Sequence, residues 1–232
     1  MSNDRIPPKI VETLALVPYF EGLDAATLTT IAQATIHRDY CAGQIVFLEG
    51  EPCVGLYIVQ EGWLKAVKLA PTGREQVLRF LGPGDTFSEI SVLAVTPNNP
   101  ATVIALEPGS VLIVPREMML QLLDNHAGLA RLVIQNLASR VMYLVSLVED
   151  LSLRSVEARL ARLLLENASE GVLHRRRWAT QSEMAARLGT VPDVLSRMLR
   201  SLAEEGIIRL ERREIQILDA AKLEMKARDA KI

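Results

Sequence analysis

After Gly128 the sequence runs through residue 152 without a glycine or a proline. Its apolar residues there fall at Ala130, Ile134, Leu137, Val141, Leu144, Val148 and Leu151. The steps alternate between four and three, which is a heptad seam. This predicts one long helix over about 127–152. Such a helix is either the core of a monomer or half of a coiled coil. The length and regularity of the seam favour a parallel pair, and so a twofold-symmetric homodimer.

Composition narrows the class. The chain has 232 residues, 49% apolar and 23% charged, which excludes a disordered or low-complexity chain. Unbroken apolar runs are only a few residues long, so no transmembrane helix and no membrane partner are expected. Met1-Ser2-Asn3-Asp4-Arg5 lacks the basic-then-apolar order of a signal peptide, and the expected location is cytoplasmic. Cys41 and Cys53 are too few for a disulfide framework.

The net charge of −2 argues at first against a nucleic-acid partner. The average hides an asymmetry. Residues 153–232 hold 16 Lys and Arg against 12 Asp and Glu, a net of +4, whereas residues 1–152 hold 10 against 16, a net of −6. Two domains with different partners are implied.

The stretch 18–115 reads as β structure. Short runs such as Gln44–Leu48, Leu56–Val59 and Val111–Val114 are punctuated by glycine and proline, as in a sandwich or roll. Pro71-Thr72-Gly73 and Thr96-Pro97-Asn98-Asn99 are expected at hairpin tips. Helices are expected at Pro7–Leu16 and Ala25–Ala34, and from Pro115 through Leu123.

Beyond the long helix, Val156–Ala168 is amphipathic, with Leu160, Leu163 and Leu164 on its apolar face. Thr180-Gln181-Ser182-Glu183 is a capping box, and Gly189 ends the helix it starts. A second helix is expected from about Val191 to Glu205, with Leu195, Met198 and Leu202 inward. Asp193, Ser196, Arg197 and Arg200 share one polar stripe at helical spacing. The spacing of Ala185, Gly189, Leu195 and Met198 fits a helix-turn-helix: a small residue for close crossing, a glycine for the turn, two apolar plugs. Ile207–Leu210 and Glu214–Leu218, joined by Glu211-Arg212-Arg213, read as a basic-tipped wing. Together they predict a winged helix for double-stranded DNA.

The order of these parts resembles the CRP/FNR family of bacterial transcription regulators over about residues 18–220. The resemblance is carried by Ala42–Phe47, Gly50-Glu51, Gly62 and Gly82-Pro83-Gly84-Asp85-Thr86-Phe87-Ser88-Glu89 in the roll, and by Ser196-Arg197-Met198-Leu199, Leu202 and Glu205–Ile208 in the reader. It implies an α+β fold: a cyclic-nucleotide-binding-like β-roll sensor (1–123), a dimerisation helix (124–153) and a winged helix-turn-helix (154–232). Dimer contacts would be Ile134, Leu137, Val141, Leu144, Val148 and Leu151. Asp193, Ser196 and Arg197 match the family's base-reading positions, and Arg197 can present its fork to guanine. Asp193 stands where the family usually has Glu, one methylene longer. Pro192 stands where the cyclic-AMP receptor has an arginine and cannot make that contact. Asp-Val-Leu-Ser-Arg is nearer the FNR side. Thr180, Gln181, Arg200, Arg212 and Arg213 are candidates for phosphate contacts. RNA polymerase is a partner by resemblance.

The effector pocket implied by the resemblance maps to Glu89, Asn99, Leu144 and Val145. Glu89 matches the ribose glutamate, which here is expected to bond roll backbone instead. Asn99 falls where the cyclic-AMP receptor has its phosphate-binding arginine, with Pro100 beside it; Leu144 and Val145 replace its base-binding Thr–Ser pair. A buried phosphate needs a charge-assisted partner, so cyclic AMP is disfavoured. FNR's four-cysteine 4Fe-4S cluster is excluded by two cysteines. Thr96-Pro97-Asn98 with Ala101-Thr102 looks like the nitrate-respiration regulators, linked to heme and nitric oxide. His37, Cys41, Cys53 and His126 are then candidate heme ligands, and an alternative reading is a heme-dependent sensor of nitric oxide or CO. Zinc on His37, Cys41 and Cys53 matches no common spacing, so no metal site is assigned. Redox sensing at either cysteine is left open.

No enzyme is expected, because no Walker loop, HExxH, GxSxG or paired-cysteine motif is present and no catalytic residue is assigned. An effector-binding module without DNA function is the rival of another class. The Arg-bearing stripe and the wing argue against it.

Overall fold

The computed structural model describes residues 8–174, 176 and 179–228. The expected helix start at Pro7 and the Met1–Arg5 leader reading lie outside the described residues. The chain forms two compact units. One runs to Lys68 and resumes over Arg79–Val141; the other joins Leu69–Leu78 to the chain from Met142 onward.

In the first unit, α1 (Pro8–Ala15), a 3-10 turn (Pro18–Phe20) and α2 (Ala25–Ala34) precede a β-roll. Asp24 caps α2 by accepting from the Thr27 amide at 2.9 Å. The roll contains β1 (Ile36–Tyr40), β2 (Ile45–Phe47), β3 (Gly55–Glu61), β4 (Leu64–Leu69), β5 (Glu75–Leu81), β6 (Thr86–Phe87), β7 (Thr102–Ala105) and β8 (Gly109–Pro115). They make two four-stranded sheets, ordered β1-β8-β3-β6 and β2-β7-β4-β5. The helices α3 (Glu89–Leu93) and α4 (Arg116–Asn125) leave and follow the roll.

The central strands show why their sequences read as unbroken apolar runs. Successive side chains point to opposite faces. Leu56 and Ile58 of β3, with Leu112 and Val114 of β8, pack against the helices. Tyr57 and Val59, with Val111 and Ile113, fill the inside of the roll. There Phe47, Tyr57 and Phe87 cluster, with Tyr57 and Phe87 stacked at 4.9 Å. Burial pushes the Tyr57 phenol up to about 12.

Pro71-Thr72-Gly73 does sit at the tip between β4 and β5. Thr96–Asn99 does not form a hairpin tip. It follows α3 and is stitched to Gly50–Cys53, where Gly50 donates to the Asn99 carbonyl at 2.8 Å and Asn99 to the Glu51 carbonyl at 2.9 Å. The short α3 has too few residues to show a helical period, so the turn residues after it mimic a hairpin loop.

The helix α5 (Ala127–Leu153) spans 27 residues. Its buried residues are Leu129 and Val133, which join the core of the first unit with partly buried Leu137. By length and composition α5 is also apolar enough to cross a membrane, with mean hydropathy 1.2 over 18 residues. Counting unbroken apolar runs misses this. The heptad spacing of the same residues offers a helix pair as the other way to cover them.

In the second unit, α6 (Val156–Asn167), α7 (Gln181–Arg187), α8 (Pro192–Glu204) and α9 (Ala220–Ala227) surround a small sheet of β9 (Val172–His174), β10 (Ile208–Leu210) and β11 (Glu214–Ile217), ordered β10-β11-β9. Leu160, Leu164, Leu195 and Leu202 are its fully buried centre. Ser155 caps α6 and Asp219 caps α9. The strand β9 and the helix α9 are additions to the sequence reading. The Asp219 cap before Ala220-Ala221-Lys222-Leu223 was a legible helix start.

Gly55 illustrates how closely the roll is built. A Cβ there would lie 2.1 Å from the Val114 carbonyl oxygen. Gly55→Ala is therefore expected to destabilise the protein by about 1–3 kcal/mol, the cost of overpacking. A urea melt with an unchanged midpoint would contradict this packing.

Candidate nucleic-acid interface and effector pocket

The reader is set by local chemistry. Thr180 accepts from the Glu183 amide at 3.2 Å and starts α7. Gly189 adopts φ +65°, and a Cβ there would press on Leu151 and Gln76 at 2.7 and 2.8 Å. The turn is closed by the Thr190 amide on the Ala185 carbonyl at 2.9 Å. Pro192 occupies the first turn of α8, where its missing N–H is harmless, and Asp193 faces the positive helix end. Ala185 is 1% exposed, as a close helix crossing demands. Leu195, Leu199 and Leu202 hold α8 from beneath, with Met198 only partly buried. Leu199, rather than Met198, is the deeply buried plug.

Most of the predicted reading residues are exposed in the structure. Asp193, Arg197 and Arg200 are exposed on α8, and Thr180 and Gln181 are exposed at the start of α7. Ser196 donates to the Gln181 Oε1 at 3.0 Å and ties the two helices together. Its hydroxyl is thus oriented by Gln181, a link the sequence alone did not indicate. Arg212 and Arg213 are exposed at the β10–β11 turn. The arrangement supplies what a major-groove reader needs: a rigid helix with a planar fork outward, and donors around it for phosphates.

The roll presents a different chemistry. Glu89 is 2% exposed at the start of α3, after Ser88 in a left-handed conformation at φ +77°. Its Oε1 accepts from the Tyr19 hydroxyl at 3.0 Å, the Thr86 hydroxyl at 2.5 Å and the Arg140 Nη2 at 2.9 Å. Arg140 also donates to the Thr86 carbonyl at 2.6 Å. The carboxylate is therefore held by side chains, not by roll backbone as expected. Burial, then the nearby Glu89 charge, raises the Tyr19 pKa.

Asn99 is 2% exposed and accepts from the Ser88 hydroxyl at 2.9 Å. It is neutral and already engaged, so it supplies no charge to a bound phosphate. The residues present do not fit the clamp that a cyclic phosphate requires. Leu144 and Val145 belong to the second unit and are exposed on α5, at 40% and 57%. The α5 residue that meets Glu89 is Arg140, about one turn earlier on the helix. Tyr19, Thr86 and Arg140 were missed because nothing in their local sequence marks a shared partner.

The candidate heme and zinc ligands are dispersed. His37 is on β1 and exposed, 3.8 Å from Asp39. Cys41 is exposed. Cys53 is buried, with its thiol 3.4 Å from the Gly55 carbonyl and 3.7 Å from the Ser88 hydroxyl. His126 ends α4. Among the described residues no three His, Cys, Asp or Glu side chains are grouped to hold a metal.

Along α5, the seam residues Ile134, Val141, Leu144 and Val148 are 40–66% exposed. Much of the apolar surface of these four is left open by the described residues, whereas Leu137 and Leu151 of the same seam are partly buried.

Comparison with known proteins follows the same division. Residues 37–126 match the cyclic nucleotide-binding domain, and residues 158–225 match the Crp-like helix-turn-helix domain. The cyclic AMP receptor protein of Thermus thermophilus is 31% identical over 209 residues, covering 89% of this chain and 95% of the relative. The CRP-like cAMP-activated global transcriptional regulator of Mycobacterium tuberculosis is 29% identical over 223 residues, covering 94% and 99%. A solved structure of a CRP/FNR-family regulator from Eubacterium rectale is 27% identical with a TM-score of 0.70, covering 92% of this chain and 99% of that one. With roll, long helix and Crp-like reader in the same order as these relatives, the chain belongs to the CRP/FNR family of transcription regulators.

Proposed function

We propose that this regulator acts as a homodimer paired along α5, with Arg197 of each α8 reading a base in successive major grooves. The observation that carries this reading is the exposed seam of α5. Val141 and Val148 lie 58% and 62% open to water at heptad spacing. A second α5 would cover them, and twofold pairing would present two readers to a symmetric site about 34 Å apart. Asp193 and Ser196 flank Arg197 at the bases, and Thr180, Gln181, Arg200, Arg212 and Arg213 meet phosphates. Working on promoter DNA in the cytoplasm, the dimer would also meet RNA polymerase, as its family resemblance implies.

The roll would govern the reader through Glu89 and Arg140 rather than through a cyclic-phosphate clamp. Arg140 sits on the helix that carries the seam and is bonded to the roll at two points. A signal that alters the surroundings of Glu89 would therefore be felt along α5.

Three outcomes test this reading. Arg197→Ala should cost about 1–3 kcal/mol per half-site and leave weak, salt-sensitive binding in a gel shift; an unchanged footprint would sink the assignment. Val141→Glu combined with Val148→Glu should give a monomer by light scattering and lose operator affinity. A dimer that persists would rule out pairing along this face. Arg140→Met should strand a buried carboxylate and destabilise the fold. The loss should fall below the roughly 3–5 kcal/mol of a fully buried pair, since the Arg140 side chain is 21% exposed. A melting curve identical to that of the parent protein would refute a structural role for the pair.

A further inference from the structure

At the junction of α5 and α6, Arg159 is 6% exposed. Its Nη1 donates to the carbonyls of Asp150 at 3.3 Å, Leu151 at 3.3 Å and Arg154 at 3.4 Å. This covers the open carbonyls at the end of α5. The rest of the guanidinium is unused. Nε is covered and has no acceptor, and Nη2 makes no hydrogen bond or ion pair to the described residues. A buried cation with unused donors is costly. Burial, opposed by the Asp150 carboxylate, holds the Arg159 pKa below the usual arginine range.

The neighbouring acids do not answer this need. Asp150 Oδ1 is shared between Arg154 at 2.9 Å and Arg162 at 2.8 Å, and Glu166 pairs with Arg162 at 3.1 Å. Arg159 lines a cleft of about 220 Å³ between the end of α5, α6 and the end of α7. Its charged lining is Arg159, Arg162 and Arg187 against Asp150 and Glu166, a surplus of one positive charge. Much of the remaining wall is apolar, from Tyr143, Leu147, Leu163 and Leu188.

We propose that this cleft binds a small organic monocarboxylate, with its carboxylate on the free side of Arg159 and its apolar body against Tyr143, Leu147 and Leu163. One surplus positive charge matches one negative charge. The unused Nη2 can donate a charge-assisted hydrogen bond to a carboxylate oxygen. The apolar wall favours an organic acid over inorganic phosphate, and the volume is below that of drug-sized sites, so the ligand is fragment-sized. An occupant would bridge the last turns of α5 to the first helix of the reading motif. The cleft lies within the second unit, where Tyr143 donates to the Leu78 carbonyl of β5 at 2.9 Å and Gln76 of β5 donates to the Arg187 carbonyl at 3.2 Å. Its occupancy does not depend on how the dimer reads DNA.

Benzoate is the probe, titrated into the full-length protein by calorimetry and by thermal melting, with inorganic phosphate as the control anion. Saturable binding of one benzoate per chain, accompanied by a rise in Tm, is expected. Arg159→Lys should weaken it roughly tenfold or more, the loss expected when a charge-assisted hydrogen bond is removed. Leu147→Trp fills the cleft without changing any charge, and should abolish binding while the protein still melts cooperatively. This second variant decides the matter should Arg159→Lys fail to fold. Absence of saturable benzoate binding would overturn the proposal, as would binding that Leu147→Trp leaves intact. Phosphate binding as tightly as benzoate would overturn the carboxylate assignment.

Discussion

The 27-residue helix α5 carries an apolar stripe that the described residues leave largely open to water. Each Val, Leu or Ile along α5 gives about 1.5–3 kcal/mol when fully removed from solvent. Within one chain that gain is collected only near the start of the helix, where Leu129 and Val133 are 3% exposed. Beyond Val133, Leu137 is partly buried against the same core, while Ile134, Val141, Leu144 and Val148 stay 40–66% exposed. The helix matters to both units because its residues are divided between them, Ala127–Val141 with the first and Met142–Leu153 with the second.

The roll answers a second constraint, which is how to keep a carboxylate in an apolar interior. Glu89 meets it with donors from three separate elements: the turn at Tyr19, the strand at Thr86 and α5 at Arg140. All three donors converge on Oε1, while Oε2 is buried without a hydrogen-bond partner among the described residues, so the carboxylate depends on that one cluster of donors. At Glu89 the carboxylate is anchored to its own chain. At Asn99 the positive charge that would attract a phosphate is missing. The roll matches the cyclic nucleotide-binding domain over residues 37–126, and within it Glu89 and Asn99 are both engaged by their own chain.

Much of the architecture was legible because its signals are local. The Thr180 cap, the turn at Gly189 and the proline at the start of α8 act within a few residues of the structure they fix. The paired runs of β3 and β8 read as strands because both faces are buried. Where the signal was short, the reading failed. The helix α3 has five residues and was missed, and the turn-forming Thr96–Asn99 after it was taken for a hairpin. The three-residue β9 left no pattern of its own.

The three-part order, the seam of α5, the winged helix and the outward stripe of Asp193, Arg197 and Arg200 were legible from the residues alone. Those follow from periodicity, capping and turn chemistry, which operate over one or two turns of chain. Packing alone chose the distant partners: Tyr19 with Glu89 across 70 residues and Arg140 with Glu89 across 51 in the roll, and Ser196 with Gln181 at the surface between two helices. It alone also left Arg159 with unused donors in a cleft. The physical reason is that a buried polar group takes whichever partner packing delivers, and packing is set by contacts far apart in sequence.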